Sequence, residues 1–137
     1  MQGAPMEPSG EAPSPEAAAA IAVLDRFMAA LNAGDQPALA ATLHFPHYRL
    51  TQGRLQVWQR PEDYTLDGFR ARAGEGWARS AWDFRRVVGA GPDKVHLDVQ
   101  FTRYRADGSV LGRFRSLWVV ARLGGVWGAQ LRSSFAA

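Results

Sequence analysis

The segment from Lys94 to Phe135 reads KVHLDVQFTRYRADGSVLGRFRSLWVVARLGGVWGAQLRSSF and gives the strongest indication of the fold. Apolar and polar residues alternate in three segments of it, and the dipeptides Asp107-Gly108 and Gly124-Gly125 separate these segments. Both dipeptides are favoured two-residue turns of β-hairpins, and period-two alternation is typical of strands with one buried face. We therefore predict three consecutive antiparallel strands.

The two turns also predict which residues of these strands lie opposite one another. The predicted pairs across the first turn are Phe101 with Phe114, Val99 with Ser116, and Leu97 with Trp118. The predicted pairs across the second turn are Phe135 with Phe114, Ser133 with Ser116, and Leu131 with Trp118. On this register Ser116 and Ser133 form the one polar spot on an otherwise apolar face.

Alternation of side chains then assigns each residue to one face of the sheet. The predicted inner face carries Val95, Leu97, Val99, Phe101, Phe114, Ser116, Trp118, Val120, Trp127, Ala129, Leu131, Ser133 and Phe135. The predicted outer face carries His96, Asp98, Gln100, Thr102, Arg113, Arg115, Gln130 and Arg132. Because apolar and polar residues separate almost completely, we expect the first face to be buried.

The N-terminal part of the sequence predicts a tail and two helices. Residues 1 to 15 are rich in Pro, Gly, Ser and Glu, so we expect a disordered tail followed by one domain from residue 16 to 137. A helix should begin near Glu16 and end at Gly34. Asp35 should cap a second, shorter helix, and Pro46 should end that helix because the residue before a proline is pushed out of the α region.

The middle of the sequence predicts two short strands, a third helix and one long strand. The segments HYRLTQ and RLQVWQ alternate around Gly53, PEDYTLDGFRARA reads as a helix opened by Pro61, and RSAWDFRRVV reads as a strand. The element order is therefore α-α-β-β-α-β-β-β-β. It predicts an α+β domain in which three helices lie on one side of an antiparallel sheet of about six strands.

Composition excludes several classes of protein. The 137 residues contain no Cys, which excludes disulfides and Cys-based zinc sites. The formal charge is +3, but the arginines are spread along the chain and form no stripe of the kind that binds nucleic acid. The apolar run at residues 17 to 24 is shorter than the ~20 residues of a membrane span, and no secretory signal is evident. We therefore expect no nucleic acid, no membrane association and a cytoplasmic location.

The chain resembles the nuclear transport factor 2-like fold, and within it the SnoaL-like and ketosteroid isomerase-like proteins. The segment VLDRFMAALNAGD, residues 23 to 35, is similar to the first helix of that superfamily, and GGVWGAQLRSSF, residues 124 to 135, is similar to its last hairpin. The resemblance implies a cone in which a strongly bent sheet wraps the helices around a pocket. It also implies a homodimer joined through the outer face of the sheet.

The resemblance implies catalytic positions that this chain fills with other residues. Isomerases of this type hold an oxyanion with a tyrosine and a protonated carboxylic acid while an Asp moves the proton. Phe27 falls at the tyrosine position, Trp118 at the acid position, and Thr51 or Leu50 at the position of the base. Isomerisation by the family mechanism is therefore not expected, and only the pocket carries over.

His44 and His47 flank Pro46 and raise three alternatives: a metal pair, an acid/base group, or ordinary residues at a corner between a helix and a strand. A zinc site needs a third ligand, and His96 falls on the predicted outer face. We therefore expect no metal and no cofactor, and we take His47 as the candidate catalytic base. Its direction stays open, because burying Tyr48 turns His47 outward, whereas the family match turns Arg49 inward.

Two functions are consistent with these observations. In the first, the cone binds a small, largely apolar ligand, either without turnover or with acid/base chemistry at His47. The expected ligand-binding residues are Phe27, Arg49, Trp58, Tyr64, Leu97, Val99, Phe101, Ser116, Trp118, Leu131 and Ser133. In the second, the domain is a non-catalytic dimeric module whose tryptophans fill the cone and whose outer sheet face serves association.

Overall fold

The computed structural model describes residues 13–137. Its elements are α1 (Pro15–Ala33), α2 (Gln36–Ala41), β1 (Leu43–Thr51), β2 (Arg54–Trp58), α3 (Leu66–Ala73), β3 (Arg79–Ala90), β4 (Lys94–Tyr104), β5 (Val110–Leu123) and β6 (Val126–Ser134). Most of the predicted tail, residues 1–12, lies outside the described residues. At the end of that tail, the Ser14 hydroxyl caps α1 by accepting from Ala17 N–H (3.1 Å), and Pro15 is already helical.

The six strands form one open sheet in the order β2-β1-β6-β5-β4-β3. All neighbours are antiparallel except β1 and β6, which run parallel. The prediction of a purely antiparallel sheet is therefore wrong at this one pair, because the chain leaves β2 at one edge and re-enters the sheet at the opposite edge with β3. The α+β class and the strand number are confirmed.

The helices lie on the inner, concave face of the sheet. α1 packs against β3, β4, β5 and β6, and its buried residues include Val23, Leu24 and Phe27. The space between α1, α3 and the inner sheet face is called the cone below. No helix within residues 13–137 is both long and apolar enough to cross a bilayer.

Two helix boundaries differ from the prediction. α2 is capped by Asp35 as expected, but it ends at Ala41, and Pro46 lies inside β1. Pro46 is accommodated there because the pairing of β1 with β6 is irregular around it, so no ladder hydrogen bond depends on its nitrogen. Pro61 opens only a single 3-10 turn, and α3 begins later, at Leu66, where the Thr65 hydroxyl accepts from Gly68 N–H (3.0 Å).

The register of β4 with β5 is confirmed. Leu97 lies opposite Trp118, Val99 opposite Ser116, and Phe101 opposite Phe114. Gly108 takes a left-handed φ of 87° in the connecting loop. The register shifts by one residue between the pairs Tyr104–Val110 and Arg103–Gly112, and from Arg103–Gly112 onward the strands follow the predicted pairing. Thr102 is on the outer face as predicted, but it is fully buried. Its hydroxyl donates a hydrogen bond to the Asp83 carboxylate of β3 at 2.7 Å.

The register of β6 departs from the prediction after Ala129. The Gly124-Gly125 turn is formed as expected, and Ala129 pairs with Val120. One strand position later, Leu131 pairs with Val119, so Gln130 is an extra residue, a β-bulge. Its side-chain amide donates to Pro46 O at 2.6 Å.

The bulge reverses the inward and outward residues of the rest of β6. Arg132 and Ser134 turn into the cone, with 7% and 8% of their surface exposed. Leu131 is 40% exposed and Phe135 is 83% exposed, so the prediction that these two residues and Ser133 line the inside is wrong. The sequence places them inside only because it assumes an unbroken period of two.

Cysteine pairs test this register directly, because the natural chain has no Cys. Phe135 N–H donates to Arg115 O (3.1 Å), so the adjacent Ser116 and Ser134 form a non-hydrogen-bonded pair with closely spaced side chains. We predict that Ser116→Cys combined with Ser134→Cys forms a disulfide on mild oxidation, seen by mass spectrometry as the loss of two hydrogen atoms, one from each thiol. Ser116→Cys with Ser133→Cys is the control and should stay reduced; preferential crosslinking of that control would contradict the bulge.

Candidate functional site

The inner face of β1 turns alternate residues into the cone. His47, Arg49 and Thr51 are buried, with 0%, 3% and 7% exposed surface, whereas Leu50 is 46% exposed. The orientation implied by the family match is therefore the one in the structure. The alternative that buried Tyr48 and Leu50 is wrong.

Four arginines converge on the cone from four different elements. They are Arg49 of β1, Arg72 of α3, Arg103 of β4 and Arg132 of β6, and they are called the arginine cluster below. Arg49, Arg103 and Arg132 each expose 7% of their surface or less. Arg49 and Arg132 are direct neighbours in the parallel pairing of β1 with β6, so two like charges lie side by side on the inner face.

The arginine cluster has no carboxylate side chain as a partner within residues 13–137. Its hydrogen bonds go to oxygens that do not belong to Asp or Glu side chains: Arg49 Nη2 donates to Ala136 O (2.9 Å), Arg103 Nη2 to an oxygen of Ala137 (3.1 Å), and Arg132 Nη2 to Tyr64 OH (3.1 Å). Four buried nitrogens find no acceptor in the described chain, namely Arg49 Nη1 and the Nε atoms of Arg72, Arg103 and Arg132. Since a buried donor without an acceptor costs roughly 1–3 kcal/mol, the cluster is a group of donors suited to an additional oxygen ligand.

Aromatic rings offset part of the cost of burying these cations. The Arg132 guanidinium lies 5.0 Å from the ring centre of Trp118, and that of Arg103 lies 5.0 Å from the ring centre of Phe114. Such cation–π contacts contribute about 0.5–2 kcal/mol each. They stabilise the cations without neutralising them, so the positive potential of the cone remains.

The cone is narrow. The space that can hold the centre of a water-sized sphere is about 30 Å³, and one water needs roughly 10–15 Å³ on this measure. The lining residues are Phe27, Met28, Leu31, Arg49, Phe69, Arg72, Ser80, Trp82, Phe101, Arg103, Ser116, Trp118, Arg132 and Ser134. A few waters or a small oxyanion fit this volume, whereas a flat apolar ligand needs several hundred Å³.

Burial and mutual repulsion act on the charges of the cluster in the same direction. Burial first, and Arg132 second, lower the pKa of Arg49 to about 9; burial and then Arg72 lower the pKa of Arg103 to about 10. Both groups still carry their charge at neutral pH. Burial alone would raise the pKa of the Tyr64 hydroxyl, but Arg132 and Arg72 lower it below its usual value, which shows how strongly the cone favours negative charge.

His47 is held as a neutral imidazole. Its Nδ1 lies 2.9 Å from Ala129 O, and a carbonyl only accepts, so Nδ1 carries the proton and Nε2 is a buried lone pair without a donor in the described chain. Burial first and the charge of Arg132 second lower the pKa of His47 to about 2. A group with this pKa is a poor general base near neutrality, although it can accept a hydrogen bond.

The other two histidines lie apart from His47. His44 Nε2 lies 3.0 Å from Ala121 O and 2.9 Å from Val126 O, and His96 is exposed on the outer face of β4. Residues 13–137 contain no group of three or more His, Asp or Glu side chains that could hold a metal ion. His44 and His47 thus occupy separate environments on either side of Pro46.

The predicted ligand-binding residues fall into three groups. Those that line the cone are Phe27, Arg49, Phe101, Ser116 and Trp118. Those that pack beside it are Trp58, Tyr64, Leu97 and Val99; Tyr64 is fully enclosed by the rings of His47 and Trp58 and by Arg132. Leu131 and Ser133 face outward, and the Ser133 carbonyl accepts from Ser116 Oγ (3.0 Å).

Sequence reasoning missed three of the four cluster arginines. Arg103 lies two residues after Phe101, and extending the period-two pattern by one step would have placed it inside. Arg72 sits on the same helical stripe as Phe69 in α3, three residues away, which is also a detectable signal. Arg132 had no such signal, because its direction depends on the bulge at Gln130.

Three helices on the inner face of an open six-stranded sheet, with a side-chain-lined cone between them, define the NTF2-like class of domains. The family model described as NTF2-like protein (DUF6841) matches residues 16–128. The chain therefore belongs to this family, and the predicted superfamily is confirmed. A comparison with curated protein sequences found no significant match.

Solved structures support the same fold. A protein of unknown function with a cystatin-like fold from Nostoc punctiforme PCC 73102 matches with a TM-score of 0.72 and 17% identity, over 93% of this chain and 95% of that chain. A ketosteroid isomerase-like protein from Erwinia carotovora atroseptica SCRI1043 matches with a TM-score of 0.66 and 20% identity, over 90% and 97%. Aln2 from a Streptomyces species matches with a TM-score of 0.68 and 24% identity, over 92% and 94%. At these identities the similarity shows the fold alone.

The lowered pKa of His47 makes a prediction about stability. The unfolded chain binds a proton at this residue below about pH 6.5, whereas the folded chain does so only near pH 2, so stability is lost as the pH falls. Relative to His47→Asn, whose amide nitrogen replaces Nδ1, the natural protein should lose about 1.4 kcal/mol of unfolding free energy for each pH unit below 6.5. Urea denaturation at pH 7.5 and pH 5 measures this difference, and equal pH dependence in both proteins would contradict a buried neutral His47.

Proposed function

We propose that this domain binds a small anionic molecule, whose carboxylate or phosphate oxygens enter the cone and bind the arginine cluster. The observation that carries the proposal is the set of four buried guanidinium nitrogens without an acceptor in the described chain. Hydrogen bonds from charged donors to anionic oxygens are roughly twice as strong as neutral ones. An anion would supply these bonds and offset the repulsion between Arg49 and Arg132.

Charge and volume together favour an anionic head group over a flat apolar ligand. The walls of the cone include large aromatic side chains such as Trp82 and Trp118, which already fill most of it. The remaining volume of about 30 Å³ is suited to a carboxylate or a small oxyanion. We therefore replace the largely apolar ligand expected from the sequence by an anionic one.

The proposal is limited to binding. The lowered pKa of His47 disfavours the acid/base role that the sequence suggested, and the positions that correspond to the isomerase donors hold Phe27 and Trp118, whose ring centres are 5.0 Å apart. His47 Nε2 would instead accept a hydrogen bond from a ligand hydroxyl or from water. A cytoplasmic location remains a prediction from the sequence.

Replacing one cluster arginine tests the proposal. Acetate or phosphate should raise the thermal unfolding temperature of the natural protein by a few degrees above a sodium chloride control of equal ionic strength, because a ligand that binds only the folded state stabilises it. Arg132→Met should lose this response. Without added anion it should be about 1 kcal/mol more stable than the natural protein, because an uncompensated buried charge has been removed.

The matched control is Arg115→Met on the outer face of the same sheet. Arg115 is half exposed and pairs with Asp98, with Nη2 and Oδ2 2.6 Å apart. This variant should keep the full anion response. An equal response in Arg132→Met and Arg115→Met would show that the stabilisation is a surface effect, and the proposal would fail.

A second candidate function, self-association through the outer sheet face, is favoured by a separate observation. Leu50, Leu117 and Leu131 are 46%, 54% and 40% exposed, and their strands, β1, β5 and β6, are neighbours in the order β1-β6-β5. Leu55 of β2, directly opposite Leu50, is 64% exposed and extends this apolar surface. Contiguous apolar area of this kind marks interaction surfaces, so we propose that two copies associate there.

Light scattering tests the association. The natural protein should show twice the chain mass of 15.0 kDa, and Leu117→Arg should show the single mass, because it places a charge on the apolar surface. Val88→Arg is the control, since Val88 is equally exposed, at 60%, on the far edge strand β3. A single-chain mass for the natural protein at tens of micromolar would exclude the proposed dimer.

A further inference from the structure

We infer that the ligand is an elongated dianion, a small dicarboxylate or a phosphorylated carboxylic acid, with one anionic end in the cone and the other in an open groove beside it. The inference rests on the proposed function and names its ligand class. The groove is lined by Arg49, Thr51, Gln52, Arg54, Gln56, Ala71, Arg72 and Ala137. The volume of the groove is about 250 Å³, compared with about 30 Å³ for the cone.

The groove continues the inner face of the sheet onto its edge strand. Arg54 of β2 pairs with Thr51 of β1, and Gln56 of β2 pairs with Arg49. Residues Arg54 and Gln56 therefore project on the same side as Arg49, and α3 provides the opposite wall through Arg72. The groove is a polar extension of the cone and not a separate surface feature.

Arg49 and Arg72 line both spaces. Each has a buried nitrogen without an acceptor in the described chain, Nη1 in Arg49 and Nε in Arg72. An oxygen of Ala137 lies at the same place and accepts from Arg49 Nη2 (3.3 Å) and Arg103 Nη2 (3.1 Å). An oxygen of the protein therefore already accepts hydrogen bonds from Arg49 and Arg103 where the cone meets the groove. A ligand oxygen would accept hydrogen bonds from the guanidinium groups in the same way.

The small volume of the cone means that a ligand larger than its anionic head group must extend beyond the cone. The cone has room for an anionic head and little else, so the body of the molecule has to lie in the groove. The groove is lined by six residues with guanidinium, amide or hydroxyl groups and by two alanines, Ala71 and Ala137. A ligand that ended in an apolar group would leave these donors without acceptors.

Charge balance points to a second anionic group at the outer end. The cone and the groove together are lined by five arginines, and no Asp or Glu lines either space within residues 13–137. One carboxylate in the cone leaves Arg54, which lines only the groove, without a counter-charge. Arg54 has no ion-pair partner in the described part of the chain, so its guanidinium is free to bind the outer group.

Pairs of acids with equal carbon number separate the two ends of the ligand. Calorimetric titration of the natural protein compares succinate with butyrate, glutarate with pentanoate, and adipate with hexanoate at constant ionic strength. We expect at least one dicarboxylate to bind about tenfold more tightly than its partner, because one additional charge-assisted hydrogen bond has this effect. In Arg54→Gln the ratio of the two affinities should fall to near one.

Arg113→Gln provides the matched control, because Arg113 is an exposed arginine of β5 outside the groove, and it should keep the natural ratio. Equal affinity for monocarboxylates and dicarboxylates in the natural protein would overturn the dianion while leaving the anion-binding cone in place. A preference for dicarboxylates that persists in Arg54→Gln would overturn the role of the groove. Absence of binding by every acid would overturn this inference, and it would overturn the proposed function as well if acetate and phosphate also fail to stabilise the natural protein.

Discussion

One extra residue in β6, Gln130, determines what the cone contains. Without this bulge the alternation of the strand would place Leu131 against Trp118 and leave Arg132 on the outer face. With it, Arg132 lies beside Arg49 and opposite Trp118, and an apolar interior becomes a cationic one. The bulge is held by the hydrogen bond from the Gln130 amide to Pro46 O, so the irregular part of β1 and the irregular part of β6 support each other. β-Bulges commonly re-aim side chains next to functional sites in this way.

The energetic consequence is a domain that buries positive charge without a side-chain counter-charge in its described residues. Taking a cation out of water costs several kcal/mol unless hydrogen bonds and opposite charge compensate it, and the aromatic rings around Arg103 and Arg132 supply only part of that compensation. The packed core around Leu24, Leu97 and Val99 has to offset the remainder. Local violations of the rules for a stable interior concentrate at functional sites, which is why the cluster supports a binding function better than a structural one.

Much of the fold could be predicted from the sequence, because it depends on local signals. Gly34, Asp35 and Gly124-Gly125 act through backbone conformation and capping, and the pairing of Leu97 with Trp118 follows from hairpin geometry. The site was predictable only in part. The parallel contact of β1 with β6 and the bulge at Gln130 depend on residues more than 80 positions apart, His47 with Ala129 and Pro46 with Gln130. No periodicity in either strand alone carries that information, so the interior was expected to be apolar, whereas Arg49, Arg103 and Arg132 are buried in it.

We propose that the cone binds an anion between Arg49, Arg103 and Arg132. A crystal structure of the protein grown with selenate, recorded at the selenium absorption edge, measures this directly, because the ion fits the cone and scatters anomalously. We predict an anomalous selenium peak inside the cone, with selenate oxygens within hydrogen-bond distance of Arg49 Nη1 and of the Nε atoms of Arg103 and Arg132. Guanidinium groups turned out to solvent, or water alone among them at saturating selenate, would contradict it.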